Sequence, residues 1–336
     1  MNVLYLTPHV EDYLSDSLFH GMRSLLGSAV VDYPKCERLY TNCTPAIRKT
    51  IRGGGFTLYT GLCEDIEVDR TDIEAKIRRG AFDLIIISDI WRLFRWFARM
   101  RRWLDPRNTV LCDGADSGQV YPVSGYWWRY PARWFVPSPK QFLYFKREWT
   151  QDSVASFPDY CLRRIANWQT KPGANWRRIG FSIPEEKIVR DLPAKTKLFP
   201  AHIVDPEVSD KLPNSSVSYA FASENPYYGD LQESRFGITT KRAGWDCLRH
   251  YEVAAQGSVL CFRNLNLKPE TCAPHGLNSR NCITYNNADA LFRKIETISD
   301  SDYEDMQAVS LSWIRSNTTT KTAESFLTEV KRSRKN

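Results

Sequence analysis

The sequence has no C-x2-C pair and no Cys/His spacing of the kind that zinc requires. Its nine cysteines, at positions 36, 43, 63, 112, 161, 247, 261, 272 and 282, are scattered and odd in number. That argues against a disulfide framework and for reduced thiols in a cytoplasmic protein. No stretch approaches the ~20 consecutive apolar residues that span a bilayer, so any membrane contact is expected to be peripheral, at the inner face. The first residues carry a short apolar run with no basic region before it, and no signal peptide is expected. There is no internal repeat at a solenoid period and no long linker.

What is present is a chain of 336 residues, 42% hydrophobic and 25% charged, which excludes disorder and fibre and suffices for two domains with real cores. The formal charge of +7 is local: residues 91–149 hold 11 basic and four acidic residues, and the remainder is neutral. The same segment holds seven of the 11 tryptophans, so the basic character is concentrated in one aromatic-rich stretch.

Apolar runs at 3–6, 82–89 and 109–112 predict strands, and the amphipathic stretches 13–26 and 72–79 predict helices between them. Alternation of this kind implies a doubly wound parallel sheet with ligands at the carboxyl ends of its strands. The loops 7–12, 88–91 and 113–118 then share one rim. In the second half, strands are expected at 179–183, 217–221, 258–262 and 282–285, and helices at 243–256, 288–298, 302–315 and 319–332. The expected fold is α/β with two Rossmann-like domains facing across a cleft. The first covers residues 1–160 and the second 161–336, with the boundary near 155–171.

The stretch with most chemistry is 241–257. On a helix, Trp245, Arg249, Glu252 and Gln256 share one face, while Leu248, Tyr251 and Ala255 can pack on a sheet. Lys241 and Arg242 stand before the expected helix start, where unpaired N–H groups and the helix dipole favour phosphate. Arg249 adds a planar fork for phosphate oxygens, and Glu252 can accept from ribose hydroxyls. The bland alternative is an i, i+3 surface ion pair between Arg249 and Glu252, worth about 0.3 kcal/mol, with Lys241 and Arg242 solvated.

Residues 234–262, a Gly loop with cations, the Tyr-Glu-Val-Ala-Ala-Gln-Gly helix end and an apolar strand, resemble the donor-binding helix of bacterial-type GT-B glycosyltransferases. Residues 313–327 are similar to the C-terminal helices of such chains. The resemblance implies a metal-independent hexosyl- or related transferase with no cofactor, taking a nucleotide sugar as co-substrate. It places the ribose on Glu252 and the diphosphate on Lys241, Arg242 or Arg249, with Trp245 beside them. Many retaining members carry two Glu eight positions apart; here the position eight before Glu252 is Gly244.

A general base is expected on the first-domain rim. Asp113 and Asp116, after the third strand, are the candidate pair, and His9, after the first, is the alternative; an Asp-Gly turn is the structural reading of the former. In 91–104 a helix would align Arg92, Arg95, Arg99 and Arg102, and 125–149 is richer still in rings and cations. That composition suits polysaccharide biosynthesis on a glycan or lipid-linked acceptor of the cell envelope, approached across an anionic membrane. It also suits a nucleic-acid groove, as in a DNA-glycosylating or nucleic-acid-binding protein. The plain alternative is a helix packed under the sheet, its arginines paired with acids between Glu64 and Glu74. A glycan-binding protein with a degenerate donor site is a further class.

Overall fold

A computed structural model describes residues 1–52, 58–118, 120–121, 141–150, 175–219 and 221–334. Six strands form a parallel sheet: β1 (Val3–Leu6), β2 (Val30–Tyr33), β3 (Leu84–Ile87), β4 (Thr109–Asp113), β5 (Leu143–Lys146) and β6 (Trp176–Arg178). Their order is β2-β1-β3-β4-β5-β6. Val3 pairs with Val30 on one side and Leu84 on the other, so the strand order reverses at β1/β3. A second parallel sheet has the order β7-β8-β9, from Phe236–Thr239, Val259–Arg263 and Cys282–Tyr285.

The apolar runs are continuous because both faces of the first sheet are covered. Val3, Tyr5, Leu84, Ile86, Val110 and Cys112 point into one core, and Leu4, Leu6, Ile85, Ile87 and Leu111 into another. The first core does not stop at the sheet. It runs through the helix Tyr13–Leu26 to Tyr251, Ala254, Leu260, Phe262 and Phe326 of the second half, making one apolar body. The last helix, Thr319–Ser333, belongs to this body and returns to the first half. Phe326 stacks 4.4 Å from Phe145 of β5, and Gly21 lets the backbone at Thr319 approach so closely that a Cβ there would lie 2.0 Å from its carbonyl oxygen.

Most expected elements are found within a few residues, with instructive differences. The 179–183 segment is not a strand: Asp246 takes the Phe181 N–H at 2.8 Å, and the sheet edge is instead Trp176–Arg178. Residues 217–219 are not in a strand either: Val217 and Tyr219 line a cleft and remain 49% and 42% exposed. The strand in that region is Phe236–Thr239, part of which was expected as loop. The 91–104 helix is shorter, Phe94–Met100 with a 3-10 turn over Arg101–Trp103. Its start is displaced because the Asp89 carboxylate accepts from the N–H groups of Trp91 and Arg92. The expected domain boundary and most of the ring-rich 125–149 segment lie outside the described residues. Eight free cysteines are described, seven of them buried. Among the described residues no helix is long and apolar enough to cross a membrane.

Candidate functional site

The carboxyl ends of β1, β3 and β4 open onto a cleft of about 890 Å³ whose opposite wall comes from the second half. The first wall is built by the loops expected on one rim: Glu11, Asp12 and Tyr13 after β1, Asp89, Trp91 and Arg92 after β3, and Gly114 to Asp116 after β4. The second wall includes His202, Tyr219, Tyr227, Arg242, Arg249 and Glu252.

On the second wall the helix carrying Glu252 is Leu248–Ala255, shorter than the expected 243–256. Residues 244–247 cannot join it because their polar groups are held elsewhere. The Asp246 N–H donates to Glu148 at 2.8 Å, and the Asp246 carboxylate accepts from Tyr251 Oη at 2.9 Å and from the Phe181 amide. Lys241 and Arg242 therefore stand several residues ahead of the helix start, not at it. Arg242 lines the cleft, whereas the Lys241 ammonium sits 5.2 Å from the centre of the Trp245 ring and neither residue reaches the lining. The helix start has no side-chain cap, and Cys247, Leu248 and Arg249 at that end all line the cleft.

Arg249 and Glu252 do not form the surface ion pair that their spacing allows. Arg249 packs its guanidinium 5.6 Å from the centre of the Tyr227 ring, and Glu252 accepts from Tyr227 Oη at 3.1 Å. One aromatic residue thus holds both side chains, and no salt bridge occupies Arg249 among the described residues. Burial raises the Glu252 carboxyl above its ordinary range, with Arg249 and the Tyr227 hydroxyl opposing. His250, beside them, faces away: it is buried, stacks on Phe262 at 4.4 Å and is pushed down to about 4 by desolvation.

The first wall differs from the sequence expectation in which carboxylates it presents. Asp113 is corrected out of the site. It is fully buried at the end of β4, pairs with Lys146 Nζ at 3.0 Å and accepts from Tyr144 Oη and the Ala115 amide. His9 is exposed outside the lining. Asp116 does line the cleft, bound to Arg147. Sequence reasoning missed Glu11, Asp12 and Asp89, although all three lie in the rim loops it singled out. The available signal was their place after β1 and β3, the strands flanking the switch point. Arg92 bridges Asp12 and Asp89, 2.7 and 2.5 Å from their oxygens. Asp89 is pushed up to about 6, by burial first and then by the Asp12 charge.

Beneath the cleft, Arg147 ties the walls together. It is 1% exposed, donates to the carbonyls of Gly114 and Asp246 and to Glu148, and lies 4.3 Å from the centre of the Phe181 ring. Burial pushes Asp246 up to about 6, against the pull of Arg147. The same network closes position 244: a Cβ there would stand 2.5 Å from Glu148 Oε1, so the position eight before Glu252 has no room for a second Glu.

Half of the basic stripe of 91–104 is paired with acids, while Arg95 and Arg102 have ring contacts and no salt bridge among the described residues. Arg92 pairs with Asp12 and Asp89, Arg99 with Glu74, and Arg101 donates to Gln141; Arg102 rests 3.8 Å from the centre of the Trp103 ring. Trp91, Trp96 and Trp103 are half-buried against the second core. Among the described residues no group of three or more His, Cys, Asp or Glu could hold a metal.

No protein-family model and no curated protein matches the sequence. Solved structures do resemble the fold. HepE of Anabaena, in complex with UDP and glucose, is 9% identical with a TM-score of 0.54, over 99% of this chain and 100% of that one. A glycosyltransferase from Rickettsia africae is 10% identical with a TM-score of 0.54, over 100% and 99% of the two chains. HepE in complex with UDP-glucose gives a TM-score of 0.53 at 9% identity. With two parallel sheets meeting at a shared cleft, and these likenesses end to end, the chain has the GT-B glycosyltransferase fold.

Proposed function

We propose that this protein is a glycosyltransferase that moves a sugar from a nucleotide-sugar donor to an acceptor hydroxyl. The observation that carries the reading is the disposition of Arg249 and Glu252 on one helix face, both held by Tyr227 and neither neutralising the other at the cleft wall. A cation with no salt bridge suits an anionic ligand, and a half-buried carboxylate with a fixed orientation suits a pair of vicinal hydroxyls. Diphosphate and ribose supply those two features. The fold's likeness to HepE, a protein solved with UDP-glucose, supports a uridine donor as the first candidate.

In this reading Arg249, Arg242 and the uncapped start of the Leu248–Ala255 helix stabilise the charge that develops on the diphosphate as the glycosidic bond breaks. Val217 and Tyr219, which line the same wall, are placed to cover the nucleoside. The first wall receives the acceptor. The acceptor proposed is a glycan hydroxyl of the cell envelope, met at the inner face of the membrane. The pairing of Arg92 and Arg99 with acids weakens the nucleic-acid alternative, because paired arginines release few counterions from a phosphate backbone.

A thermal-shift panel of UDP-, GDP-, CMP- and dTDP-sugars tests the class. The reading expects one nucleotide group to raise the unfolding midpoint in proportion to the logarithm of its concentration. No shift with any of the four at millimolar concentration contradicts it.

A further inference from the structure

Four carboxylates lie on the first wall, and their hydrogen bonds separate them. Asp12 accepts from the Ser15 N–H with one oxygen and from Arg92 with the other. Asp89 accepts from the Trp91 and Arg92 amides with one oxygen and from the Arg92 guanidinium with the other. Asp116 is bound to Arg147 through one oxygen and is 56% exposed. Glu11 is the one of the four whose carboxylate has an oxygen, Oε1, that is both shielded from water and without a hydrogen-bond partner among the described residues; its Oε2 accepts from the Arg52 N–H at 3.1 Å. A carboxylate oxygen that the protein leaves unpartnered has its accepting capacity available to a substrate hydroxyl.

We propose that Glu11 is the catalytic base: its Oε1 accepts the hydrogen bond of the incoming hydroxyl and then its proton. The proposal rests on the glycosyl-transfer reading above. The acceptor oxygen attacks the anomeric carbon with a lone pair, and the bond from that carbon to the diphosphate oxygen breaks, leaving its electron pair on the phosphate. The acceptor proton passes to Glu11 Oε1 and from there to water after product leaves. Glu11 and the cations at Arg242 and Arg249 stand on opposite walls. A single displacement of this kind inverts the anomeric configuration.

The surroundings fit a base. Asp12 raises the affinity of Glu11 for a proton, while Arg38 and Arg52 lower it; burial is the largest effect and leaves the carboxyl above its ordinary range. Tyr13, on the same wall, has its phenol pushed up to about 12 by burial, and the charges of Glu11 and Glu252 both add to that shift.

The test uses the full chain with the four nucleotide-sugar groups named above and water as acceptor, reading nucleotide release and, by proton NMR, the anomer first formed. Glu11→Gln is expected to lower turnover at saturating donor by about 100-fold or more while leaving donor Kd within about twofold. In Glu11→Ala, added formate is expected to restore part of the rate, which a purely structural role would not allow. The first-formed anomer is expected to be inverted. Turnover within about threefold of wild type in Glu11→Gln, or a retained anomer, overturns the assignment while leaving the transferase reading intact. If Glu11→Gln does not bind donor, Glu11→Asp replaces it, with a loss of about tenfold supporting the proposal and none opposing it. Wild-type protein that binds and hydrolyses none of the donors refutes the transferase reading and the base with it.

Discussion

The two walls of the cleft handle charge in opposite ways. On the first, Arg92 is clamped between Asp12 and Asp89, Asp116 is bound to Arg147, and Asp113 is buried against Lys146, so nearly every charge is answered within the protein. On the second, Arg249 packs on the Tyr227 ring with Glu252 near enough to act on its charge, and neither Arg249 nor Arg242 has a salt bridge among the described residues. A wall that satisfies itself has little left for a phosphate, whereas a wall with unanswered cations is incomplete until an anion arrives. The proposed function follows this contrast, with the charged donor on the second wall and a hydroxyl-bearing acceptor on the first.

The contrast depends on Arg147, which holds the walls in register, so the largest effect is expected there. Arg147→Met removes the cation between Glu148, Asp116 and Asp246 and leaves buried acids uncompensated, a change that costs about 3–5 kcal/mol. Urea unfolding should show an unfolding free energy lower by that amount; a loss below about 1 kcal/mol would mean that the buried network does not organise the cleft. A smaller effect sharpens the first wall. The folded-state pKa of Asp89 lies above that of an ordinary Asp, so between about pH 4 and pH 6 the folded state binds more protons than the unfolded one, and this group's contribution to stability falls as pH rises. Asp89→Asn removes that titration. Its unfolding midpoint relative to wild type should climb by about 1–3 °C from pH 4 to pH 6.5 and then level off. A flat difference would show that Asp89 is not held out of water.

The sheet of the first half was legible because its strands are buried on both faces and bounded by loops: the runs at 3–6, 82–89 and 109–112 contain β1, β3 and β4. Even the shared rim followed from the strand alternation. Individual chemistry on that rim was less legible, since an Asp after a strand looks the same whether it faces a cleft, as Asp89 does, or a buried lysine, as Asp113 does. The partner Lys146 is 33 residues away, and no local pattern reports it. The start of the 248–255 helix was misplaced for a related reason. Helical spacing continues back to 243, but Glu148, 98 residues away, takes the Asp246 N–H. At 217–221 apolar alternation suggested a strand where Val217 and Tyr219 instead line the cleft. Glu252 was legible because its spacing from Arg249 and the Gly257 cap are local, and Gly257 does adopt the left-handed φ of +71°.

The central claim is that the second wall, and not the first, holds the nucleotide. Isothermal titration of the nucleotide sugar selected by the thermal-shift panel tests it directly, with Glu252→Ala and Asp12→Asn measured beside wild type. The account expects Glu252→Ala to weaken binding by about 10- to 100-fold, the loss of one or two hydrogen bonds to a charged group, and Asp12→Asn to leave Kd within about threefold. Unchanged affinity in Glu252→Ala, or a larger loss in Asp12→Asn, would contradict it.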